Sequence, residues 1–393
     1  MIVRKTRPEE SLRVDQLFAI AFEQPMENGP AGKEDPRVHH WAAYQDDDRT
    51  MMSTFTITDY AIRFDGHVCK MGGIGGVATL PQYRRQGGIR GCFERALPDM
   101  YHSGYDFSYL YPFSTAYYRR FGYECGVKRY GVKALLSFLK ARPVSGELEL
   151  VENGNCQTEI QELWETWQSR YNLTVVHGEE DFRWVQKLDP AARQEFTYLY
   201  RNAAGKAAAM TTFRLANEPD GRNLVCSRFC FLDREGFDGL MHLFQSLVAD
   251  HRYVKFQIPT QEALLYLFPE WSFGAVEYQL LPAGMVRAVN AQSVLEKAAY
   301  RGSGSLRIGL TDGQIPENNG TFAVEFREGK AVRVERTREP AEAEMDIQTF
   351  SAAISGVFDA GELSWLPGAG ALCEAERLGQ VFYKKPMAIH DYF

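Results

Sequence analysis

With 393 residues, 45% hydrophobic and 24% charged, the chain has the balance of a folded globular protein and more length than one ordinary core fills, so two or three domains are expected. A formal net charge of −7 disfavours a nucleic-acid partner and suits a cationic small substrate. No run approaches the roughly 18 apolar residues that span a bilayer, and the basic opening Met1-Ile2-Val3-Arg4-Lys5 has no apolar stretch behind it, so a cytoplasmic protein with no membrane partner is expected.

The first block runs to Arg142. A polar stretch from Phe22 through Glu27 and Gly32 reads as a loop between two helices. Met51 to Ile62 alternates apolar and polar residues, Asp65-Gly66 supplies a tight turn, and His67 to Thr79 returns as a second strand. Asp106 to Tyr111 is a third strand candidate, and Phe121 to Ala134 reads as a closing pair of short strands. A second block, 143–284, opens after Pro143-Val-Ser-Gly. It offers a helix over 157–170 with Ile160, Leu163, Trp164 and Trp167 on one stripe, then strands over 196–201, 207–214 and 223–232. A helix over 236–249 and a strand over 254–258 complete an order of elements like that of the first block, so the second is read as a degenerate repeat of it. The third block, 285–393, carries strands at 305–310, 321–326 and 331–336 and a helix over 346–358.

Seven cysteines are scattered, with no CxxC spacing, which argues against a disulfide framework and a zinc site. Cys226 and Cys230 stand four apart on a strand pattern, where even spacing puts both thiols on one face. His39, His40, His67 and His102 have no carboxylate or cysteine at ligand spacing. No metal is expected.

The chemistry is concentrated in 72–97. Four glycines within positions 72–76 weaken a strand, and a bulge or close approach of a ligand is the usual reason to keep them. The segment Arg84-Arg85-Gln86-Gly87-Gly88-Ile89-Arg90 then opens an amphipathic helix. Glycines let successive N–H groups turn toward one point, and the helix N-terminus adds partial positive charge, together a nest for a pyrophosphate. Neither GxGxxG nor GxxxxGK[ST] is present.

This segment resembles the pyrophosphate loop of the GCN5-related N-acetyltransferase superfamily, Arg/Gln-x-x-Gly-x-Gly/Ala, with Ile89 in the last place. Downstream, Tyr118-Arg-Arg-Phe-Gly122-Tyr123 is similar to the Tyr-x-x-x-Gly-Phe segment that carries those enzymes' general acid. The order of the blocks narrows the resemblance to the Eis (enhanced intracellular survival) family. The expected fold is then mixed α+β: a catalytic acetyltransferase domain over 1–142, a degenerate acetyltransferase-like domain over 143–284, and a sterol carrier protein-like domain over 285–393 whose tail reaches the active site. The resemblance implies acetyl-coenzyme A as co-substrate, contacted by Val77, Ala78 and Thr79, by Arg85, Gln86, Gly87, Gly88, Ile89 and Arg90, and by Phe113 and Ser114. It implies Tyr118 as acid, with Tyr117 the rival one position away, and the terminal carboxylate of Phe393 as base. Acceptors would be amines of aminoglycosides, polyamine-like molecules or lysine, with Glu23 and Glu27 bordering the acceptor side. The assembly would be a homo-oligomer, a hexamer by analogy. A lipid- or small-ligand-binding protein acting through the third domain is the competing reading, and a ligase using aminoacyl-tRNA is disfavoured by the acidic balance.

Overall fold

The computed structural model describes residues 1–26, 35–140, 142–268, 270 and 272–392, so Glu27 and Phe393 lie outside the described residues. The chain forms two compact bodies. The first comprises 1–127, 283–385 and 389–393, and the second 128–282 with 386–388. Among the described residues no helix is long and apolar enough to cross a membrane.

The first body opens with strand β1 (Ile2–Lys5), helix α1 (Ser11–Ala21), and strands β2 (Val38–Tyr44), β3 (Met51–Phe64) and β4 (His67–Thr79). Helix α2 (Gly88–His102), strand β5 (Phe107–Leu110), the short helix α3 (Thr115–Arg119) and strand β6 (Glu124–Cys125) follow. The expectation of a second helix after the polar loop was incorrect. Val38–Tyr44 is a strand, buried on both faces at Ala42, Ala43 and Tyr44, so it shows no period-two pattern. The sheet runs β1-β2-β3-β4-β5, then a strand from far along the chain, Met285–Ala288, then β6. Only β4 and β5 are parallel, and α2 is the crossover between them. The α2 residues Cys92, Phe93, Ala96, Leu97 and Met100 are buried against Phe55, Ile57 and Ile74.

In the second body the chain forms β7 (Lys128–Leu135), β8 (Glu147–Leu150), α4 (Gln157–Gln168), α5 (Pro190–Arg193), β9 (Glu195–Arg201), β10 (Ala207–Glu218) and β11 (Gly221–Phe231). It continues as α6 (Arg234–Ser246), β12 (Tyr253–Pro259), α7 (Leu264–Leu267) and β13 (Val276–Pro282). The sheet order is β8-β9-β10-β11-β12-β7-β13, with β11 and β12 the parallel pair. Position for position this repeats the first sheet. The sixth place in each is filled out of sequence: β7, read as closing the first sheet, lies in the second, and Met285–Ala288 lies in the first. The shared face expected for Cys226 and Cys230 is also corrected. The ladder between β10 and β11 slips between Thr212 and Phe213, so Cys226 packs with Phe213 and Phe229 while Cys230 packs with Met210 and Trp167.

The remainder of the first body is β14 (Met285–Ala288), α8 (Ala291–Lys297), β15 (Gly304–Thr311), β16 (Gly320–Arg327), β17 (Lys330–Thr337), β18 (Ala343–Asp346), α9 (Ile347–Ser355), β19 (Ala369–Leu372) and α10 (Ala375–Leu378). Its sheet is β17-β16-β15-β18-β19. Leu306, Ile308, Phe322 and Val324 are buried with Phe350 and Ile354 of α9. The Ser351 hydroxyl of α9 accepts a hydrogen bond from the Ala288 N–H of β14 (2.9 Å), an N–H that β6 is too short to meet. Two buried ion pairs bind this part to the first sheet. Lys385 pairs with Asp65 at the β3–β4 turn, nearly all of both side chains buried, and Arg287 of β14 pairs with Asp312 (2.7 Å), their side chains fully buried.

Candidate active site

The site begins where β4 leaves β5. Their ladder covers only Met71–Ile74 opposite Phe107–Leu110. Past it, 75–79 and 111–114 have no pairing with each other among the described residues, so backbone groups on the facing edges have no partner strand. On its other side β4 stays paired with β3 through a register shift between Thr54 and Thr56, which leaves Gly76 and Val77 as a bulge. Gly76 has φ +57°, and a Cβ there would stand 2.6 Å from the Phe18 ring of α1. The glycine run therefore serves both a bulge and a close packing contact.

Chain direction then turns through Pro81–Tyr83, Arg85 (φ +66°) and Gly87 (φ +86°) into α2. Gly88, the first residue of the helix, lies so near β3 that a Cβ would meet the Ser53 hydroxyl oxygen at 2.4 Å. No side chain caps the N-terminus of this 15-residue helix, so its first N–H groups face a cleft. The cleft, of about 510 Å³, is lined by Thr79, Arg84, Arg85, Gly87, Gly88, Ile89, Arg90, Tyr117, Arg120, Phe121 and Gln314, with Glu94 its one carboxylate. Among the described residues none of the four arginines is paired with a carboxylate. Unpaired guanidinium groups around free helix N–H groups are the donor set for a polyanion such as a pyrophosphate.

The expected site residues divide by position. Thr79, Arg85, Gly87, Gly88, Ile89 and Arg90 line the cleft. Val77 and Ala78 lie on the free edge of β4, their side chains packing into separate apolar clusters. Gln86 turns its amide back onto the Gln82 carbonyl (3.1 Å). Phe113 is 74% exposed beyond β5, and the Ser114 hydroxyl caps α3 by accepting from the Tyr117 N–H (3.3 Å). Glu23 is exposed at the end of α1.

Both tyrosines of α3 are tied into an aromatic cluster. Tyr118 is buried against Phe93 and Phe113, its hydroxyl without a hydrogen-bond partner among the described residues. Burial pushes its pKa above the ordinary tyrosine value, and the neighbouring Tyr117 and Tyr123 add to the shift. Tyr117 lines the cleft between Phe113 and Phe121. Burial raises its pKa above the ordinary tyrosine value, and the charges of Arg120 and Arg90 draw it back. Gly122 takes φ +85°, and a Cβ there would fall 1.7 Å from the Arg287 guanidinium. The next residue, Tyr123, shares a hydrogen bond with Ser108 (2.7 Å), which donates to the Gly72 carbonyl (2.8 Å).

Described residues of the tail end at the same opening. Tyr111, just past β5, donates its hydroxyl to the Asp391 carbonyl (3.0 Å) and stacks on Tyr392 with ring centroids 4.9 Å apart. Sequence reasoning did not anticipate Tyr111, Arg120 or Gln314. Arg120 could have been suspected from its place beside the tyrosine motif. Gln314 carries no local signal, since it meets the cleft only through the fold of the third block.

Comparison with known proteins bears on this geometry. Residues 2–126 match the family described as an acetyltransferase (GNAT) domain, and residues 291–388 match the sterol carrier protein domain. No curated protein matches the sequence. Among solved structures, a probable N-acyltransferase from Enterococcus faecalis V583 is 24% identical, with 100% of this chain and 99% of that chain covered and a TM-score of 0.86. A GCN5-related N-acetyltransferase from Anabaena variabilis is 18% identical over the whole of both chains, with a TM-score of 0.86. Eis1 from Mycobacterium abscessus is 16% identical over the whole of both chains, with a TM-score of 0.80. At these identities the likeness shows a shared fold. The matched acetyltransferase domain makes the chain an enzyme of acyl transfer.

Proposed function

We propose that this chain, built on a GNAT acetyltransferase domain and a sterol carrier protein domain, transfers acetyl from acetyl-coenzyme A to an amine of a cationic small molecule. The observation that carries the reading is the cleft of four unpaired arginines at the uncapped, glycine-lined start of α2, opening beside the parted strands β4 and β5. The cradle fits the group: Gly87 takes a positive φ where a Cβ would press on the Arg90 guanidinium, and Gly88 lets the start of α2 sit against Ser53.

When bound, acetyl-coenzyme A supplies an activated acyl carbon and a sulfur leaving group. The free edge of β4 at Val77–Thr79 offers backbone N–H donors to a carbonyl oxygen; losing one such donor typically costs about 10²–10³ in rate. Tyr118 holds the proton that a departing sulfur needs. Its raised pKa keeps the hydroxyl protonated throughout the neutral range, so the acid form is present whenever substrate binds. Tyr117, facing Arg90 and Arg120, serves as a wall of the phosphate cleft. The carboxylate of Phe393 accepts the amine proton, directly or through water, and the seating of Asp391 and Tyr392 on Tyr111 supports that reading. Aminoglycosides, polyamine-like molecules and lysine side chains are the amines to try, and the family resemblance makes a homo-oligomer part of the proposal, which light scattering reads.

The structure does not favour the lipid-carrier reading. The third sheet is covered by α9 at β15 and β18 and by α8 at β17, and the open face carries Arg307, Glu325, Arg333 and Glu335. Calorimetric titration of acetyl-coenzyme A, followed by thiol release across an amine panel, tests the proposal. Gly87→Asp or Arg85→Glu should weaken acetyl-coenzyme A binding at least tenfold in a folded protein. Unchanged affinity would remove the site from this loop.

A further inference from the structure

Helix α3 is five residues long and ends one residue before Arg120. A helix this short has little stability of its own. The following turn meets its last carbonyls, with the Arg120, Phe121 and Gly122 N–H groups bonding Tyr117, Tyr118 and Arg119. Two glutamines of the sterol carrier domain add donors from outside the segment. Gln348, in the first turn of α9, donates its amide to the Arg119 carbonyl (2.9 Å), and Gln314 donates to the Arg120 carbonyl (3.3 Å). Gln314 is fixed in turn, because its own N–H bonds the Asp312 carboxylate (2.9 Å). That carboxylate holds the buried Arg287, which lies against Gly122 two residues beyond Arg120. Of the four arginines lining the cleft, Arg84, Arg85 and Arg90 belong to the loop and first turn of α2. Arg120 stands apart on the opposite segment, exposed and without a carboxylate among the described residues.

A pyrophosphate at the α2 N-terminus is served by the loop arginines and backbone donors. The cleft also reaches Arg120 and Gln314, which come from segments outside that loop and helix. Coenzyme A carries one further phosphate, the monoester on its ribose 3′-oxygen, and a guanidinium is the side chain best suited to it. We infer that Arg120 binds the 3′-phosphate of coenzyme A, and that Gln314 and Gln348 of the sterol carrier domain are positioning residues that hold Arg120 over the cleft. This rests on the cleft being a coenzyme A site. The sterol carrier domain thereby contributes to co-substrate selection without lipid.

Calorimetric titration of the full chain with coenzyme A and with 3′-dephospho-coenzyme A tests the inference without turnover. The native protein should bind coenzyme A about tenfold or more tightly than the dephospho form, the scale of one charge-assisted contact. Arg120→Gln should bring the two affinities within about twofold by weakening coenzyme A alone, whereas Arg85→Gln should weaken both ligands alike. Gln314→Leu should narrow the ratio while leaving dephospho-coenzyme A affinity and the melting temperature unchanged, which a purely structural role would not do. Equal binding of both ligands by the native protein, or an unaltered ratio in Arg120→Gln, overturns the inference and leaves the proposed function standing. Binding of neither ligand overturns both.

Discussion

At the scale of single residues, the two neighbouring tyrosines of α3 occupy different environments, and this separates the roles proposed for them. Tyr118 is buried among Phe93 and Phe113, whereas Tyr117 faces Arg90 and Arg120. Tyr118→Phe should lower kcat by about 10²-fold or more with acetyl-coenzyme A affinity little changed, because the ring packing survives and only the proton is lost. Tyr117→Phe should leave kcat within a few-fold; steady-state kinetics on both variants reads the difference, and the reverse pattern would exchange the assignments. The motif around these residues was legible because its glycines stand at short, fixed spacings from the arginines and the tyrosine. Gly87 needs a positive φ, Gly88 needs the space over Ser53, and Gly122 needs both a positive φ and the room that Arg287 takes. Two of those reasons depend on atoms more than 30 residues distant, so the sequence could show the glycines without showing what presses on them.

At the scale of elements, legibility followed the length of the pattern. Long β3 and β4 with their Asp65-Gly66 turn announced themselves, as did the helix after the arginine-glycine loop. Strand β14 did not: four residues, all buried, whose partners at 107–110 lie about 180 positions earlier, offer no period to read. The repeated architecture also explains why one cleft is expected rather than two. In the second body β11 runs into α6 almost directly, and the Asp233 carboxylate accepts the Gly236 N–H (2.8 Å) at the start of that helix. A Cβ on Gly236 would already meet the Ala208 carbonyl oxygen at 2.5 Å. The equivalent nest is closed by its own acid, so calorimetry should return one coenzyme A per chain, and a stoichiometry of two would count against this. A different prediction concerns the fastening of β1. Glu10 accepts from both terminal nitrogens of Arg4 (2.8 Å each) and from Tyr44 (2.9 Å), and the Arg4 hydrogen bonds, chiefly, bring its pKa down from 4.5 to about 2. A carboxyl depressed in the folded state stabilises it above its unfolded pKa and loses that contribution as pH falls through the folded one. Melting temperatures should therefore decline between about pH 4.5 and 2, and Glu10→Gln should flatten that part of the curve while lowering stability at neutral pH.

At the scale of the whole molecule, the terminal residues are held on the first body by Tyr111, and the proposed base follows them directly. Deleting Phe393, or extending the chain past it, should cut turnover about 10²-fold because the carboxylate is displaced, while the melting temperature barely moves. An active enzyme with a C-terminal extension would make Glu23, Glu27 or a bound water the next base to test. This feature was read from family resemblance alone; an aromatic finish says that a tail can dock and nothing about where.

The exchange of strands between the two sheets has a consequence for synthesis. The acetyltransferase sheet cannot close its sixth place until residue 288 has left the ribosome, by which time every strand of the second sheet has been made. Until then β5 waits with an unpaired edge, and Arg287 and the carboxylate that neutralises it have not yet been translated. The first sheet is begun first and finished after the second. A pause or truncation between residues 127 and 283 would therefore leave an open template for other chains, and that interval is where the nascent protein depends most on a chaperone's cover.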